Sequence, residues 1–151
     1  VVHDQLHTLA REAGARVVSS ADTSLVVFST SEHQLNAVKF AHQLKFVFDT
    51  HNQAHTPKIL YGLGIHTGEV VITTHPSFKL TSWGTTIPSV KRTADYADGE
   101  IYLTQATHKM VATSTRCERI ADRNVWKLKS IPSRERHSTF IKRFMERQGR
   151  S

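Results

Sequence analysis

One stretch, residues 60–92, constrains the fold of this chain more than any other. It opens with the letters YGLGIHTG and closes with WGTTIPSVKR. In its first half, β-branched residues lie on both sides of a turn at residues 66–68, where Gly68 can take a positive φ. The pattern predicts strands over residues 59–65 and 69–74, joined as a β-hairpin.

The second half of the stretch predicts a short strand that ends at Trp83, a turn at Gly84 and a helix over residues 88–97. Pro88 opens this helix, because a proline at the first helical position gives up a donor that would lack a partner anyway. The helix carries Arg92 one turn further on.

Upstream, the helical spacing of apolar residues predicts a first helix over residues 2–13, ended by Gly14. Two β-rich runs, residues 15–20 and 24–29, predict another hairpin with Asp22 at its turn. The second run is apolar enough to be a central strand of a sheet.

A long amphipathic helix follows this hairpin. Ser31 and Gln34 form the pattern of a capping box, and apolar residues at helical spacing continue to about Asp49. Residues 51–57 are polar and contain Pro57, which predicts a loop.

Downstream, the sequence predicts a turn at residues 98–99, a strand over residues 100–103 and a helix over residues 105–112. Ala106 and Met110 are expected to face inward from that helix. Two final strands are predicted over residues 117–120 and 125–131. Together the elements predict an α/β (α+β) sandwich of mainly antiparallel strands covered by helices.

Composition agrees with one globular domain of 151 residues, of which 38% are hydrophobic. No apolar run reaches the roughly 18 residues that a membrane span needs, and no signal peptide is expected. Cys117 is the only cysteine, so no internal disulfide can form. A reducing, cytoplasmic compartment is therefore expected.

The net charge of +7 is concentrated at the C-terminal end, where residues 134–150 hold six Lys or Arg against two Glu. This tail places two apolar pairs, Phe140 with Ile141 and Phe144 with Met145, on one face of a basic helix. Such a helix either docks on a protein groove or an anionic surface, or packs on its own domain. Nucleic-acid binding is not expected, because no strand carries an aromatic stacking pattern.

The G-I-H-T-G motif is followed by W-G-x-T and a helix bearing Arg92, and this order resembles the catalytic domain of class III adenylate and guanylate cyclases. Within that class, the sequence resembles the receptor-type cyclases of trypanosomatids. The resemblance covers about residues 3–131 and implies a ferredoxin-like cyclase fold. It divides the chain into a cyclase-homology domain, residues 1–132, and the basic tail, residues 133–151. The family's first strand would precede Val1, so the domain is N-terminally incomplete.

The resemblance implies roles for two positions on the helix. Family members carry an Asn that orients the ribose and, four residues on, an Arg that stabilises the transition state; these positions are Pro88 and Arg92. Proline has no side-chain donor or acceptor, so the ribose would lose its positioning contact.

The purine positions of the family correspond to Thr81 and Val18, which replace a charged Asp and Lys. Neither can reproduce charged hydrogen bonds to a purine edge, although Thr81 could still touch a base. A phosphate-binding Lys expected in the last hairpin corresponds to Lys127 or Lys129.

Asp22 corresponds to the second of two metal-binding carboxylates in the family, and the first would precede Val1. A turn Asp that bonds its own backbone is the alternative. No resident cofactor is expected, and Mg²⁺ or Mn²⁺ would be required by an active enzyme. His3 and His7 stand four residues apart on the first helix, but no third or fourth ligand completes a zinc site.

These substitutions indicate a degenerate cyclase-homology domain that acts as a structural or regulatory dimerisation or scaffolding module. The alternative is an active cyclase that converts ATP or GTP to a cyclic nucleotide, with residues supplied by a partner or by upstream sequence. The resemblance implies a homodimer or heterodimer through the cyclase dimer face. It also suggests a flagellar or ciliary setting, or the cytosolic side of a membrane.

Overall fold

The fold is taken from a computed structural model that describes residues 2–19, 23–29, 31–68, 70–72, 80–82, 86–120 and 122–132, with the backbone alone for residues 19, 70–72 and 80–82. The basic tail lies outside the described residues. The described helices are α1 (Val2–Glu12), α2 (His33–Ala54), α3 (Thr86–Tyr96) and α4 (Gln105–Val111). The described strands are β1 (Arg16–Ser19), β2 (Ser24–Val27), β3 (Leu63–Ile65), β4 (Val70–Ile72), β5 (Leu80–Ser82), β6 (Ile101–Thr104), β7 (Arg116–Ile120) and β8 (Val125–Ser130).

The described strands form three separate sheets. The largest has the order β3-β6-β8-β7, in which β3 runs parallel to β6 and the other neighbours are antiparallel. β1 pairs with β2, and β4 pairs with β5, both antiparallel. The predicted α/β fold with a mainly antiparallel sheet is confirmed, with the β3–β6 pair as the parallel exception.

The hairpin predicted across residues 66–68 is wrong. β3 pairs with β6, whereas β4 pairs with β5. Gly68 does not take a positive φ, unlike Gly14 and Gly99. The reason lies in the side chains of residues 66 and 67, which hydrogen-bond to β6 and α4 and carry the chain onward instead of back along β3.

α1 agrees with its prediction, and its C-terminus shows why Gly14 ends it. Gly14 has a φ of +73° and donates its N–H to the carbonyl of Arg11, while Ala15 donates to Ala10. This pair of bonds satisfies carbonyls that the helix end would leave open. The buried face of α1 consists of Val2, Leu6 and Ala10.

α2 differs from its prediction at both ends. The capping box at Ser31 is wrong: Glu32 is the N-cap, with φ of 56° and no side-chain cap hydrogen bond. The loop predicted from residue 51 is wrong over its first four residues, since the helix continues to Ala54. Asn52 stabilises this extra turn, because its side-chain oxygen accepts from the Ile59 N–H at 2.8 Å and its amide donates to the Ile59 carbonyl at 2.9 Å.

α4 buries a different face from the one predicted. Met110 is 58% exposed, and the buried positions are Thr107 and Val111. α4 begins directly after β6, and its first turn sets residues 107 and 111 toward the core. The inward face is therefore one residue out of phase with the predicted one.

Two apolar clusters form the described core, and α2 contributes to both. One cluster contains Val38, Ala41, Ile101, Leu103, Val111 and Leu128. The other contains Leu6, Ala10, Phe40 and Leu44. Leu63 on β3 packs against both clusters.

The two strands predicted near the end of the chain are confirmed as β7 and β8, which pair antiparallel. Among the helices that the structure describes, none combines the length and the apolar character that crossing a bilayer requires.

Leu103→Ala should lower the free energy of unfolding by about 2–5 kcal/mol, because Leu103 is fully buried and its truncation leaves a cavity. Leu60→Ala is the matched control: Leu60 is 90% exposed, so its loss should change stability by no more than about 0.5 kcal/mol. Urea titration of both variants measures the difference. Equal effects would contradict the burial described here.

Candidate functional site

An open cleft of 1410 Å³ separates β2 from β3. α2 lies along it, and α3 borders it beside β3. Its lining is largely apolar, with polar and charged groups from α3 and from the segment that follows β3. The α2 residues that line it include Ala37, Phe40, Ala41, Leu44 and Phe48.

Gly62, directly before β3, and Gly64, on β3, bring α3 against the cleft. A Cβ on Gly62 would lie 1.8 Å from the carbonyl oxygen of Ala97, and one on Gly64 would lie 2.5 Å from the backbone nitrogen of Ala94. Both positions therefore require glycine for close helix–strand packing. Leu63, between them, packs into the apolar clusters. This alternation explains the Y-G-L-G part of the sequence motif.

A polar network ties α2 to the start of β3. The Tyr61 hydroxyl donates to Asp49 Oδ1 at 2.5 Å, and Lys45 Nζ donates to Asp49 Oδ2 at 3.0 Å. Lys45 also donates to the carbonyl of Gly99 at 2.8 Å, and the Gly99 N–H donates to the Tyr61 carbonyl. The Tyr61 ring stacks on Phe48 at a centroid distance of 4.4 Å. The network holds one end of the cleft.

The sequence pattern does not predict this network. Its local signal is a Lys followed four residues later by an Asp on α2, a spacing that places both on one helix face. The other members lie 16 and 54 residues from Lys45 in the chain, and nothing in the local pattern points to them.

The network shifts the pKa of each of its titratable members. Partial burial and the bond to Asp49 raise the pKa of Tyr61 to about 12. Burial acts to raise the pKa of Asp49, but the hydrogen bonds from Tyr61 and Lys45 outweigh it and lower that pKa. Burial likewise acts to lower the pKa of Lys45, and its bonds to Asp49 and Tyr61 raise it instead. The ammonium and the carboxylate are thus the forms that fit the folded state.

The segment after β3 is fixed by two side-chain bonds. His66 Nδ1 lies 2.7 Å from the Thr104 hydroxyl, and the Thr67 and Thr107 hydroxyls lie 2.8 Å apart. His66 is therefore held by a hydrogen bond to the end of β6 and does not lie in the predicted hairpin turn. Burial lowers the pKa of His66, so its ring is neutral at neutral pH.

Arg92 and Pro88 both lie exposed on α3, outside the cleft lining. The α3 side chains on the cleft include Lys91 and Asp95 instead. Arg92 makes no hydrogen bond or ion pair with any other residue that the structure describes. Pro88 is the third residue of α3, within the first turn, where a missing N–H leaves no intrahelical bond broken.

The purine and metal positions are only partly within the described residues. Val18 is half-buried on β1 and pairs with Leu25 of β2. Thr81 pairs with Val71 between β4 and β5, and its side chain is not described. Asp22 lies outside the described residues. Val18, the member of this set whose side chain is described, does not line the cleft.

The described residues do not gather a metal site. No group of three or more His, Cys, Asp or Glu lies close enough to hold an ion within the described ranges. His3 and His7 are in contact on the exposed face of α1, with their Nε2 atoms 3.1 Å apart. The two carboxylates on the cleft, Asp95 and Asp98, both come from the end of α3 and the turn after it.

The two candidate phosphate-binding lysines share one carboxylate partner. Lys127 Nζ and Lys129 Nζ each lie 3.8 Å from the same carboxylate oxygen of Glu118. Both approach it from β8 while Glu118 stands on β7. The geometry thus gives the two lysines the same partner and favours neither one as an anion ligand.

Tyr61→Phe keeps the stacked ring but removes the hydroxyl that joins Asp49 to Lys45, so the free energy of unfolding should fall by about 1 kcal/mol at pH 7. A raised pKa means that the folded state holds the phenol proton more tightly, so this contribution is complete below pH 10 and is lost as the pH rises toward about 12. Urea titration of wild type and variant across this pH range measures it.

Tyr96→Phe is the control for that comparison, because Tyr96 is 43% exposed. It should change stability by no more than about 0.5 kcal/mol at pH 7. A difference between wild type and Tyr61→Phe that stays constant from pH 8 to pH 12 would contradict the proposed network.

No family model and no curated protein matches this sequence. Among solved structures, the chain is similar to the monomeric guanylyl cyclase domain of the RhoGC fusion protein from the aquatic fungus Blastocladiella emersonii, with 14% identity over 87% of this chain and 78% of that one and a TM-score of 0.73. It is also similar to the adenylyl cyclase CyaB from P. aeruginosa, with 18% identity over 89% of this chain and 80% of that one and a TM-score of 0.67. A third similar structure, of adenylate cyclases from Trypanosoma brucei, shows 17% identity over 89% of this chain and 78% of that one and a TM-score of 0.63. The chain has the fold of class III adenylate and guanylate cyclase catalytic domains.

Proposed function

We propose that this chain is a non-catalytic cyclase-homology domain that works as a structural or regulatory association module within a larger protein or assembly. Pro88 is the observation that carries the proposal. It stands exposed in the first turn of α3, at the position where the cyclase resemblance places the amide that orients the ribose. Its ring offers neither a donor nor an acceptor. Misplacing a reacting group by about 1 Å can cost about 100-fold in rate.

Val18 supports the same conclusion. A site that reads a base edge depends on hydrogen bonds to that edge. Val18 is an apolar, half-buried residue on β1, outside the cleft lining, and its substitution for Lys removes a charged donor. Val17 packs against the apolar cluster of α1 and α2, so Val18 lies on the opposite face of β1, where its side chain offers a purine no hydrogen bond.

The described residues also provide no group of side chains suited to binding the metal ions that the reaction needs. The resemblance would place two metal ions on a pair of carboxylates, but the described Asp, Glu, His and Cys residues form no cluster of three. The cleft carboxylates come from one helix end, and none lies on β1 or β2 within the described ranges.

The exposure of Arg92 is the one observation that favours the alternative function, an active cyclase whose site is completed by a partner. Its guanidinium is exposed and makes no bond within the described part of the chain. A planar, always charged group of this kind suits the spread negative charge of a phosphoryl transition state. It equally suits a carboxylate on the surface of a partner protein, which is the role that our proposal gives it.

The proposed association partner is a second cyclase-like domain. The solved neighbours include a guanylyl cyclase domain described as monomeric and another described as a non-canonical dimer. We propose that the basic tail adds a contact to a protein or to an anionic surface. The single cysteine fits a cytoplasmic setting, including the cytosolic side of a membrane or a flagellum.

The purified protein should release no cyclic AMP or cyclic GMP from ATP or GTP with Mn²⁺, because the ribose and purine contacts are replaced. A competent cyclase assayed alongside gives the positive control. Arg92→Ala should also be inactive, as should Arg11→Ala, which removes an exposed arginine from α1 as a matched control.

Product formation by the wild-type protein and by Arg11→Ala, together with its loss in Arg92→Ala, would overturn the non-catalytic proposal. Sedimentation equilibrium of the same proteins tests association separately. A wild-type protein that stays monomeric, both alone and with a second cyclase domain, would contradict the association role.

A further inference from the structure

Two histidines on α1 bring their ring nitrogens together at the surface of the protein. The Nε2 atoms of His3 and His7 lie 3.1 Å apart, and the two rings meet edge to face, with an angle of 64° between their planes. His3 is exposed and His7 is half-buried. Neither residue lines the cleft, so the pair belongs to a different part of the surface.

The helix fixes the spacing of this pair. Residues four positions apart on a helix are neighbours, with Cβ atoms about 5–6 Å apart. The buried residues of α1 are Val2, Leu6 and Ala10, and the last two pack in one apolar cluster with α2. The two imidazoles therefore stand on a backbone that tertiary packing already holds. This arrangement reduces the entropy that is lost when two ligands are brought to one ion.

The distance between the two nitrogens fits the coordination of one metal ion. Zinc binds imidazole nitrogen at about 2.0–2.1 Å, so two nitrogens at a tetrahedral angle around one ion are about 3.3 Å apart. At a right angle, as in square-planar sites, two nitrogens at the same bond length are about 2.9 Å apart. The observed 3.1 Å lies between these values. One ion can therefore bind both rings with only a small movement of either side chain.

The contact also indicates how the two nitrogens become available as ligands. Without an ion, one Nε2 donates its proton to the lone pair of the other, whose ring carries its own proton on Nδ1. When the donor ring also takes the Nδ1 tautomer, both Nε2 lone pairs are free and both rings stay neutral. Neutral imidazole is a ligand that suits zinc, copper and nickel. Binding by the neutral rings thus replaces one hydrogen bond with two metal–nitrogen bonds and releases no proton.

We propose that His3 and His7 bind one divalent transition metal ion of the class that prefers imidazole, such as zinc, through their two Nε2 atoms. Among the described residues no group of three His, Cys, Asp or Glu forms, so water fills the remaining coordination positions. The ion links the first two turns of α1 and thereby stabilises this helix. The site goes beyond the association role proposed above and does not depend on it.

A second histidine pair with the same spacing lacks this geometry. His51 and His55 also stand four residues apart, at the end of α2, but their rings stack with 8° between the planes and 4.4 Å between the centroids. The lone pairs of imidazole lie in the plane of the ring, so stacked rings direct their nitrogens side by side and not toward one ion. His55 Nδ1 instead contacts the carbonyl oxygen of His51 at 3.1 Å. This pair is therefore a matched control for the site on α1.

A zinc titration of the 151-residue protein at pH 8, followed by the ¹⁵N NMR signals of the imidazole rings, tests the proposal. The Nε2 signals of His3 and His7 should shift together along one binding curve that saturates at one ion per chain. The signals of His51 and His55 should shift only at much higher zinc concentration. Zinc should also raise the urea midpoint of the protein, because the ion binds the folded helix.

His3→Ala removes one of the two ligands. It should weaken zinc binding at His7 by about 100-fold or more, because a second linked ligand strengthens binding by at least that order. The variant should keep α1, since His3 is exposed and alanine is the residue that most favours a helix. His51→Ala is the control variant and should leave both the binding curve and the zinc effect on the urea midpoint unchanged.

Three results would overturn the proposal. Unchanged zinc affinity in His3→Ala would show that the two rings do not share an ion. Equal zinc affinity at the α1 pair and at His51 and His55 would show ordinary binding to surface imidazoles. Saturation at one ion for two chains would place the ion between two copies of the protein and not on one helix.

Discussion

The 22-residue helix α2 is the constraint on which the rest of the structure depends. Its Val38 and Ala41 belong to one apolar cluster, whereas its Phe40 and Leu44 belong to the other. No described strand pairs the β1–β2 sheet with the four-stranded sheet. The two halves are therefore held together by packing on a single helix and by Leu63, and the cleft between them follows from that arrangement.

The functional interpretation depends on the same helix-and-strand frame. Gly62 and Gly64 allow α3 to pack closely on β3, and in that position Lys91 lines the cleft whereas Arg92 does not. A cyclase fold is therefore present while the residues that the motif assigns to the nucleotide are substituted or lie away from the cleft. The association role that we propose rests on this combination of a cyclase fold and substituted nucleotide positions, because a fold does not by itself determine a function.

Elements governed by nearby residues could be predicted from the sequence, and elements governed by distant ones could not. α1 and its Gly14 end follow from local spacing and from one glycine conformation. The pairing of β3 depends on His66 and Thr67, whose partners lie 38 and 40 residues away. The motif predicted a helix over residues 88–97 that is opened by Pro88; the helix is present but begins two residues earlier, at Thr86, and ends at Tyr96. The direction of Arg92 depends on how that helix packs. The predicted Asp22 site remains a prediction, because that residue lies outside the described part.

A residue-resolved urea titration of the 151-residue chain, followed by NMR, tests most directly whether the two halves are joined only by packing on α2 and Leu63. The account predicts that Val17 and Val26, on the β1–β2 side, lose their native signals at lower urea than Leu103 and Leu128, on the larger sheet. Few contacts and open strand edges place the first pair in a unit that unfolds separately. One shared midpoint for all four residues would contradict the account, because it would show a single cooperative core.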